Sequence, residues 1–315
     1  MTVLCPYCGA QAAFLLYAQD ENRHSTAETF TYYRCPRCKL IFLYPLPVDL
    51  SAYYTGDYHA QPTTASERAF HARLEAIKLA YVQRYAHGKS LLEIGPSHGA
   101  FLRLAKQAGF TTQAIELDTE CVAALNRAGI PTVQSAEPAQ ALRALGRYDV
   151  IGMWHVIEHL PAAWDVIAEA AQHLAPNGML VIAAPNPRAL TFQLFKARWN
   201  YLDAPRHVCL LPISLVEGVA RQNGLVPLWR STNNPEVRWH NFAAWRGSLI
   251  SLIGKGRVQA ALSLPQSADQ PRSPSSRLKA RLFRLGLRAL MLAAAPLELT
   301  GERSSAYTLI FRKPT

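Results

Sequence analysis

Apolar positions along the chain change their period in a regular order, and that order predicts alternating strands and helices. Residues 90–118, SLLEIGPSHGAFLRLAKQAGFTTQAIELD, open with a short apolar strand (Leu91, Leu92, Ile94) and turn through two glycines. They continue as a helix with Phe101, Leu102 and Leu104 inward, then a second strand. The same pitch repeats downstream: a strand over 130–134, a short helix to Leu145, a strand over 148–154, and a helix opened by Pro161. That helix turns Trp164, Ile167, Ala171 and Leu174 inward and is followed by a fifth strand over 179–184. Upstream, Phe70, Leu74, Ile77 and Tyr81 recur at spacings of four, three and four, so residues 66–87 form a helix closed by Gly88. A helix over 213–223 ends at Gly224, a sixth strand covers 225–230, and a last strand covers 305–311.

Strand alternating with helix implies a doubly wound, mostly parallel α/β sheet with helices on both faces and ligands at the carboxyl ends of its strands. Those ends carry Gly95, Glu116, Ser135 with Ala136, Trp154 with His155, and Pro185 with Asn186. Gly95 and Gly99 allow a sharp turn and a close approach to a ligand, and the amides opening the next helix point at it. Glu116, ending the second strand, stands where an acidic side chain accepts hydrogen bonds from ribose hydroxyls in dinucleotide-binding sheets. Gly95, Ser97 and Gly99 also spell the G-x-S-x-G elbow of α/β hydrolases, but the turn follows the first strand and no oxyanion loop precedes it. A nicotinamide-binding turn would need G-x-G-x-x-G, which Ser97 and Ala100 break.

Near the amino terminus, Cys5-Pro-Tyr-Cys8 and Cys35-Pro-Arg-Cys38 are two C-x-x-C turns able to place four thiolates tetrahedrally around a zinc ion. Four thiolates leave no open coordination position, so such an ion is structural. Cys121 and Cys209 stand alone on apolar patterns and are expected to be buried small side chains. The net charge of +11 suits an anionic partner. The opening residues lack the basic-then-apolar pattern of a secretory signal, and no window reaches the run of roughly 18–20 apolar residues that a membrane span needs, so the expected location is cytoplasmic.

With these features in place, the turn resembles the first motif of class I S-adenosylmethionine-dependent methyltransferases, with Glu93, Gly95 and Gly99 in position and Ser97 where the middle glycine usually stands. YDVIGMWHVIEHLPAAWDVIAEAAQHLAPNGMLVIAAPNP is similar to the middle of that fold, and WNYLDAPRHVCLLPISLVEGVARQNGL to a bacterial subgroup bearing an amino-terminal zinc ribbon. The resemblance implies a Rossmann-like, seven-stranded sheet whose last strand is antiparallel, with S-adenosylmethionine as cofactor. It further implies that Glu93, Gly95, Pro96, Ser97 and Gly99 face the methionine half of the cofactor, Glu116 the ribose, and Leu117, Ser135 and Ala136 the adenine, with His155 adjoining.

The expected organisation is a zinc ribbon and connection over 1–60, a core with strands one to six over 61–230, an inserted helical cap over 231–303, and the last core strand over 304–315. Methyl transfer is an in-line displacement, so the protein aligns the acceptor and, for a hydroxyl or ammonium, removes a proton. His155, His159 and His207 are the candidate bases, with Glu158 as an acidic alternative. The expected acceptor is a small molecule or a lipid-linked glycan, methylated at oxygen. In the insertion, Arg277, Arg281, Arg284 and Arg288 line one helix face opposite Leu278, Leu282, Leu285 and Met291, a pattern suited to an anionic membrane surface or to a solvated lid. Peripheral contact with the inner membrane surface is the corresponding expectation. An RNA substrate is disfavoured, because residues 1–57 hold only Arg23, Arg34, Arg37 and Lys39 as basic side chains and form no stripe. A catalytically silent binding module is disfavoured by the intact Glu93, Gly95, Gly99 and Glu116.

Overall fold

The computed structural model of the protein describes residues 2–54, 64–254, 274–300 and 302–315. Most of the SADQPRSPSSR linker lies outside these residues, as do the side chains of Arg277 and Arg284.

Three strands of the amino-terminal segment, β1 (Ala13–Ala18), β2 (Phe30–Arg34) and β3 (Ile41–Leu43), form an antiparallel meander. The core sheet has seven strands: β4 (Ser90–Ile94), β5 (Thr111–Glu116), β6 (Thr132–Gln134), β7 (Tyr148–Trp154), β8 (Leu174–Pro185), β10 (Val226–Ser231) and β11 (Ala306–Arg312). Across the sheet they run β10, β11, β8, β7, β4, β5, β6. Every neighbour pair from β8 to β6 is parallel, whereas β11 is antiparallel to both β8 and β10. This is the doubly wound sheet that the pattern predicts, with the reversed last strand that the resemblance implies. The order reverses beside β4, which opens the crevice at its carboxyl end where such sheets bind ligands.

Successive residues of β4 point to opposite faces and build two cores. Leu92 and Ile94 face α4 (Pro138–Arg143), α5 (Ala163–Gln172) and α7 (Ile213–Gln222), where Leu142, Val166, Ile167 and Val216 are buried. Leu91 faces the helices α1 (Ala65–Tyr85), α2 (Ala100–Gln107) and α3 (Thr119–Arg127), with Leu79, Val82, Phe101, Leu102 and Leu125. Two local readings change. In α1, Leu79 and Val82 are the buried residues, while Phe70, Leu74, Ile77 and Tyr81 are half-buried. The amino-terminal half of α1 meets the insertion, where the rings of Phe70 and Trp239 lie 4.4 Å apart. Leu174 belongs to β8, paired with Tyr148, rather than to the preceding helix.

The amino-terminal sheet is not self-contained. Its fourth strand, β9 (Cys209–Leu210), comes from the segment following β8 and pairs with β3. A fully buried Arg206 completes the junction. Its guanidinium donates to Asp20 Oδ1 (2.5 Å) and Oδ2 (3.1 Å) of the ribbon segment, to Asp203 Oδ1 (2.8 Å) and Oδ2 (2.9 Å), and to the Tyr53 carbonyl (3.2 Å). Burial alone would raise the Asp20 carboxyl, but Arg206 and Ser25 outweigh it and hold it below the ordinary carboxylate range.

Removing one partner of a buried ion pair leaves an uncompensated charge. Arg206→Met therefore destabilises the protein by about 3–5 kcal/mol, read from urea unfolding, and loosens residues 2–54 to protease. A midpoint shift no larger than that of an exposed substitution would show that the triad does not hold the ribbon.

Candidate active site

The glycine turn after β4 holds a left-handed backbone at Gly95 (φ 67°), Ser97 (φ 52°) and Gly99 (φ 72°). Only glycine fits at Gly99, where a Cβ would lie 2.3 Å from the buried Leu125 side chain, and a Cβ on Gly95 would meet Val156 at 2.7 Å. Ser97 pays the strain of its positive φ, and its amide donates to Glu116 Oε2 at 2.8 Å. Glu116 Oε1 accepts from the amides of Leu117 (2.7 Å) and Asp118 (3.0 Å), so this one carboxylate ties the β4 turn to the β5 turn. Leu117 is half-exposed, and Ser135 and Ala136 follow β6 at the same edge.

Glu93 is buried, and its Oε2 has no hydrogen-bond partner. Burial pushes its carboxyl up to about 8, with Lys78 opposing. Lys78, on α1, pairs with Glu75 at 3.1 Å, and Glu75, Glu236 and Glu93 together outweigh desolvation and keep it charged.

His155 ends β7 with φ 56°, an uncommon left-handed backbone for histidine, and its amide is held by the Ala183 carbonyl at 2.8 Å. Its buried Nε2 has no partner, while its Nδ1 lies 3.4 Å from Glu158 Oε1. Burial depresses its pKa to about 3, so the ring is neutral near neutral pH. Glu158 and His159 lie on the short 3-10 turn that follows (Ile157–His159). Glu158 is only 1% exposed, neither oxygen has a hydrogen-bond partner, and burial raises its pKa. His159 Nδ1 lies 3.0 Å from the Arg206 carbonyl and 2.9 Å from Tyr54 Oη, and burial lowers its pKa to about 4. His207 Nδ1 donates to the Tyr201 carbonyl at 2.7 Å, and its ring meets that of His159 edge to face at 4.6 Å.

All four acid–base candidates thus lie together beyond β7. Asn186 instead spends its side chain on the Glu302 and Ser304 carbonyls, a structural tie between β8 and β11.

The sequence reading missed residues supplied by the insertion. Helix α8 (Pro235–Ile253) is capped by Asn234, whose side chain accepts from the Val237 amide at 2.8 Å. Its first turns deliver Glu236 and His240 one helical turn apart on one face. The His240 ring stacks on that of His155 at 4.0 Å, and His240 Nδ1 lies 2.6 Å from Tyr201 Oη. Glu236 is 2% exposed with an unpartnered Oε2, and burial raises it to about 7. The signal was present as Asn-Pro-Glu-x-x-x-His, an N-capped helix with acid and imidazole at i and i+4. Lys78 and Tyr54 carry no comparable sequence signal.

At the ribbon, Cys5 and Cys38 Sγ are 3.6 Å apart, Cys8 and Cys35 Sγ 3.4 Å, and all four lie within 4.8 Å. These separations exclude disulfides, which need about 2.05 Å. They approach the edge of about 3.8 Å of a tetrahedron with Zn–S bonds near 2.3 Å. The thiolate set fits a zinc ion. Cys121 and Cys209 are buried.

The fold and this site define a class. The family model described as a methyltransferase domain matches residues 66–228, just over half of the chain, and the protein belongs to that family. Ubiquinone biosynthesis O-methyltransferases of Burkholderia multivorans and Burkholderia cenocepacia are 29% and 30% identical over 130 residues, 39% of this chain and 56% of each relative. The chain thus spans about half the length of the curated relatives it matches. Among solved structures, a SAM-dependent methyltransferase from Archaeoglobus fulgidus aligns with TM-score 0.49 at 16% identity, covering 76% of this chain and 93% of that one. An O-methyltransferase family protein from Burkholderia thailandensis aligns with TM-score 0.40 at 20% identity, over 53% and 57%.

Proposed function

We propose that the protein transfers a methyl group from S-adenosylmethionine to a hydroxyl of a small-molecule or lipid-linked glycan acceptor. The observation that carries this reading is the coupled turn of Glu93, Gly95, Ser97, Gly99 and Glu116 at the carboxyl ends of β4 and β5, within the family-matched core. Burkholderia relatives named as O-methyltransferases support oxygen as the acceptor atom.

When bound, the cofactor supplies a methyl group on a sulfonium. Glu93, Gly95, Pro96, Ser97 and Gly99 would hold its methionine half, and the orphaned Glu93 oxygen is a natural partner for a cationic group. Glu116 would take the ribose, and Leu117, Ser135 and Ala136 the adenine. Three amides already occupy the Glu116 carboxylate, so ribose hydroxyls share or replace those bonds. His155 is the general base: its unpartnered Nε2 accepts the hydroxyl proton, and Glu158 beside Nδ1 steadies the imidazolium. Tyr201 and His240 orient the acceptor and pack against the base.

Calorimetry should show S-adenosylmethionine binding, weakened by about 1–3 kcal/mol in Glu116→Ala through loss of a charged acceptor. Unchanged affinity in the variant would remove Glu116 from the site. The sign of the pH dependence follows from Glu93. Without ligand it stays protonated below about 8, a bound cation favours the carboxylate, and binding therefore releases a proton and tightens as pH rises toward that value. The measured enthalpy should then vary with the ionisation heat of the buffer.

Cys5, Cys8, Cys35 and Cys38 are read as a structural zinc site. Cys35→Ser should release that zinc, seen by elemental analysis, and open the ribbon to protease. A ribbon that stays protected with no metal bound would overturn this assignment.

The carboxy-terminal helix α9 (Pro274–Leu299) supports membrane contact. It packs through Leu287 and Ala294 near Trp245 of α8, and it leaves Leu278, Leu282 and Leu285 at least half exposed beside the exposed Arg281 and Arg288. Among the described residues, no helix is long and apolar enough to cross a membrane. Exposed leucines next to arginines suit the surface of an anionic bilayer. Vesicle flotation should show salt-sensitive binding to anionic but not neutral vesicles, lost when Arg281 and Arg288 become Gln. Equal behaviour of both proteins would leave α9 a solvated lid.

A further inference from the structure

Two histidine–carboxylate clusters lie side by side beyond β7, and their ring geometry separates them. In the first, His155, Glu236 and His240, the two imidazoles are stacked at 4.0 Å with planes 30° apart. Rings stacked face to face cannot both direct in-plane lone pairs at one ion, so that cluster suits proton handling.

The second cluster, Glu158, His159 and His207, is different. Its ring planes cross at 80° with centroids 4.6 Å apart, and one donor atom from each residue lies within 4.8 Å of the others. Each imidazole is oriented through Nδ1 to a backbone carbonyl, His159 to Arg206 and His207 to Tyr201. A carbonyl only accepts, so this contact assigns the proton to Nδ1, with Tyr54 Oη as a second neighbour of His159 Nδ1 at 2.9 Å. This backing by a carbonyl is the arrangement that fixes tautomer and direction in metal-ligating histidines. Between them sits a carboxylate that is 99% buried by exposure and lacks any hydrogen-bond donor on either oxygen; His155 Nδ1, 3.4 Å away, is not aligned for a bond. A buried carboxylate with no donor on either oxygen, set within 4.8 Å of two imidazole nitrogens, is the kind of group that a bound cation would satisfy.

We propose that Glu158, His159 and His207 bind a divalent first-row transition metal ion, distinct from the cysteine-held zinc. Two imidazoles with one carboxylate suit zinc, cobalt or ferrous iron and argue against magnesium or calcium. Three protein ligands leave a coordination position for water or for an acceptor oxygen. Glu158 then lies between the ion and His155, and the ribbon reaches this site through Arg206, whose carbonyl contacts His159.

Metal counting on the full chain tests the proposal, with cobalt(II) as the probe. Metal-stripped protein should take up two equivalents, only one of which gives the intense thiolate-to-cobalt charge-transfer absorption of the cysteine site. The double variant Glu158→Gln, His207→Gln should keep that absorption, which also reports a folded ribbon, and bind the second equivalent at least about a hundredfold more weakly. Cys35→Ser should show the reverse. Saturation of the unaltered protein at one thiolate-bound equivalent, or two equivalents retained at full affinity by the double variant, would overturn it.

Discussion

The buried ion triad of Arg206 with Asp20 and Asp203 is the constraint on which the assembly of this protein depends. A guanidinium with no solvent exposure is tolerable only when its donors are met, and here two carboxylates and the Tyr53 carbonyl meet them. The three acceptors come from the ribbon segment, the connection before the core and the loop after β8. Fixing Arg206 therefore fixes all three. Its neighbours inherit that order: the Arg206 carbonyl receives His159, the His207 carbonyl receives Tyr32 Oη at 2.9 Å, and the next residues become β9, the ribbon's fourth strand. The ribbon and the loop that carries Arg206 and His207 are thus structurally coupled. A perturbation of the cysteine site should be felt at the histidines.

The core sheet was legible because its signal is local and repeated. Strand and helix alternate at one pitch, and a single glycine turn bears two positive-φ glycines and has a partner carboxylate one strand away. Such features survive reading one residue at a time, and strands such as β7 and β11 fall within a residue of where their patterns place them. The candidate bases were legible as residue types at strand ends, since topology alone brings carboxyl ends together. Their geometry was not. The positive φ of His155 and the separation of the histidines into a stacked pair and a crossed pair depend on β8, α8 and the Arg206 loop, which lie far apart in sequence.

What the pattern concealed was long-range. Glu236 and His240 looked like ordinary polar positions on a helix in an insertion, because nothing in their own segment says where that helix docks. Docking is set by Asn234, which bonds to Thr308 Oγ1 of β11 at 2.9 Å, and by Asn241, which accepts from the Ser305 amide at 2.6 Å. Buried amide bonds of this kind fix register strongly yet leave no periodicity behind. The half-buried face of α1 has the same origin, since its amino-terminal half is completed by Trp239 from that insertion. The leucines of α9 show the same limit: their period marks an apolar face without saying what it meets, and Leu278, Leu282 and Leu285 are exposed.

The carboxylates around Lys78 carry the last step. One ammonium faces Glu75, Glu93 and Glu236, and burial raises Glu93 to about 8 and Glu236 to about 7. Near neutral pH, Glu93 and much of the Glu236 population therefore hold protons, and the pocket sits close to electroneutrality without paying to bury three charges. A cationic ligand changes that balance by drawing protons off these acids and gaining the attraction of the carboxylates so formed. A neutral thioether of the same shape gains much less. In the proposed reaction the cofactor loses its positive charge as the methyl leaves, so the same carboxylates that favour the sulfonium cease to favour the product. Under the proposed function, burial of acids beside one lysine would favour the charged cofactor over its neutral product without any difference in shape.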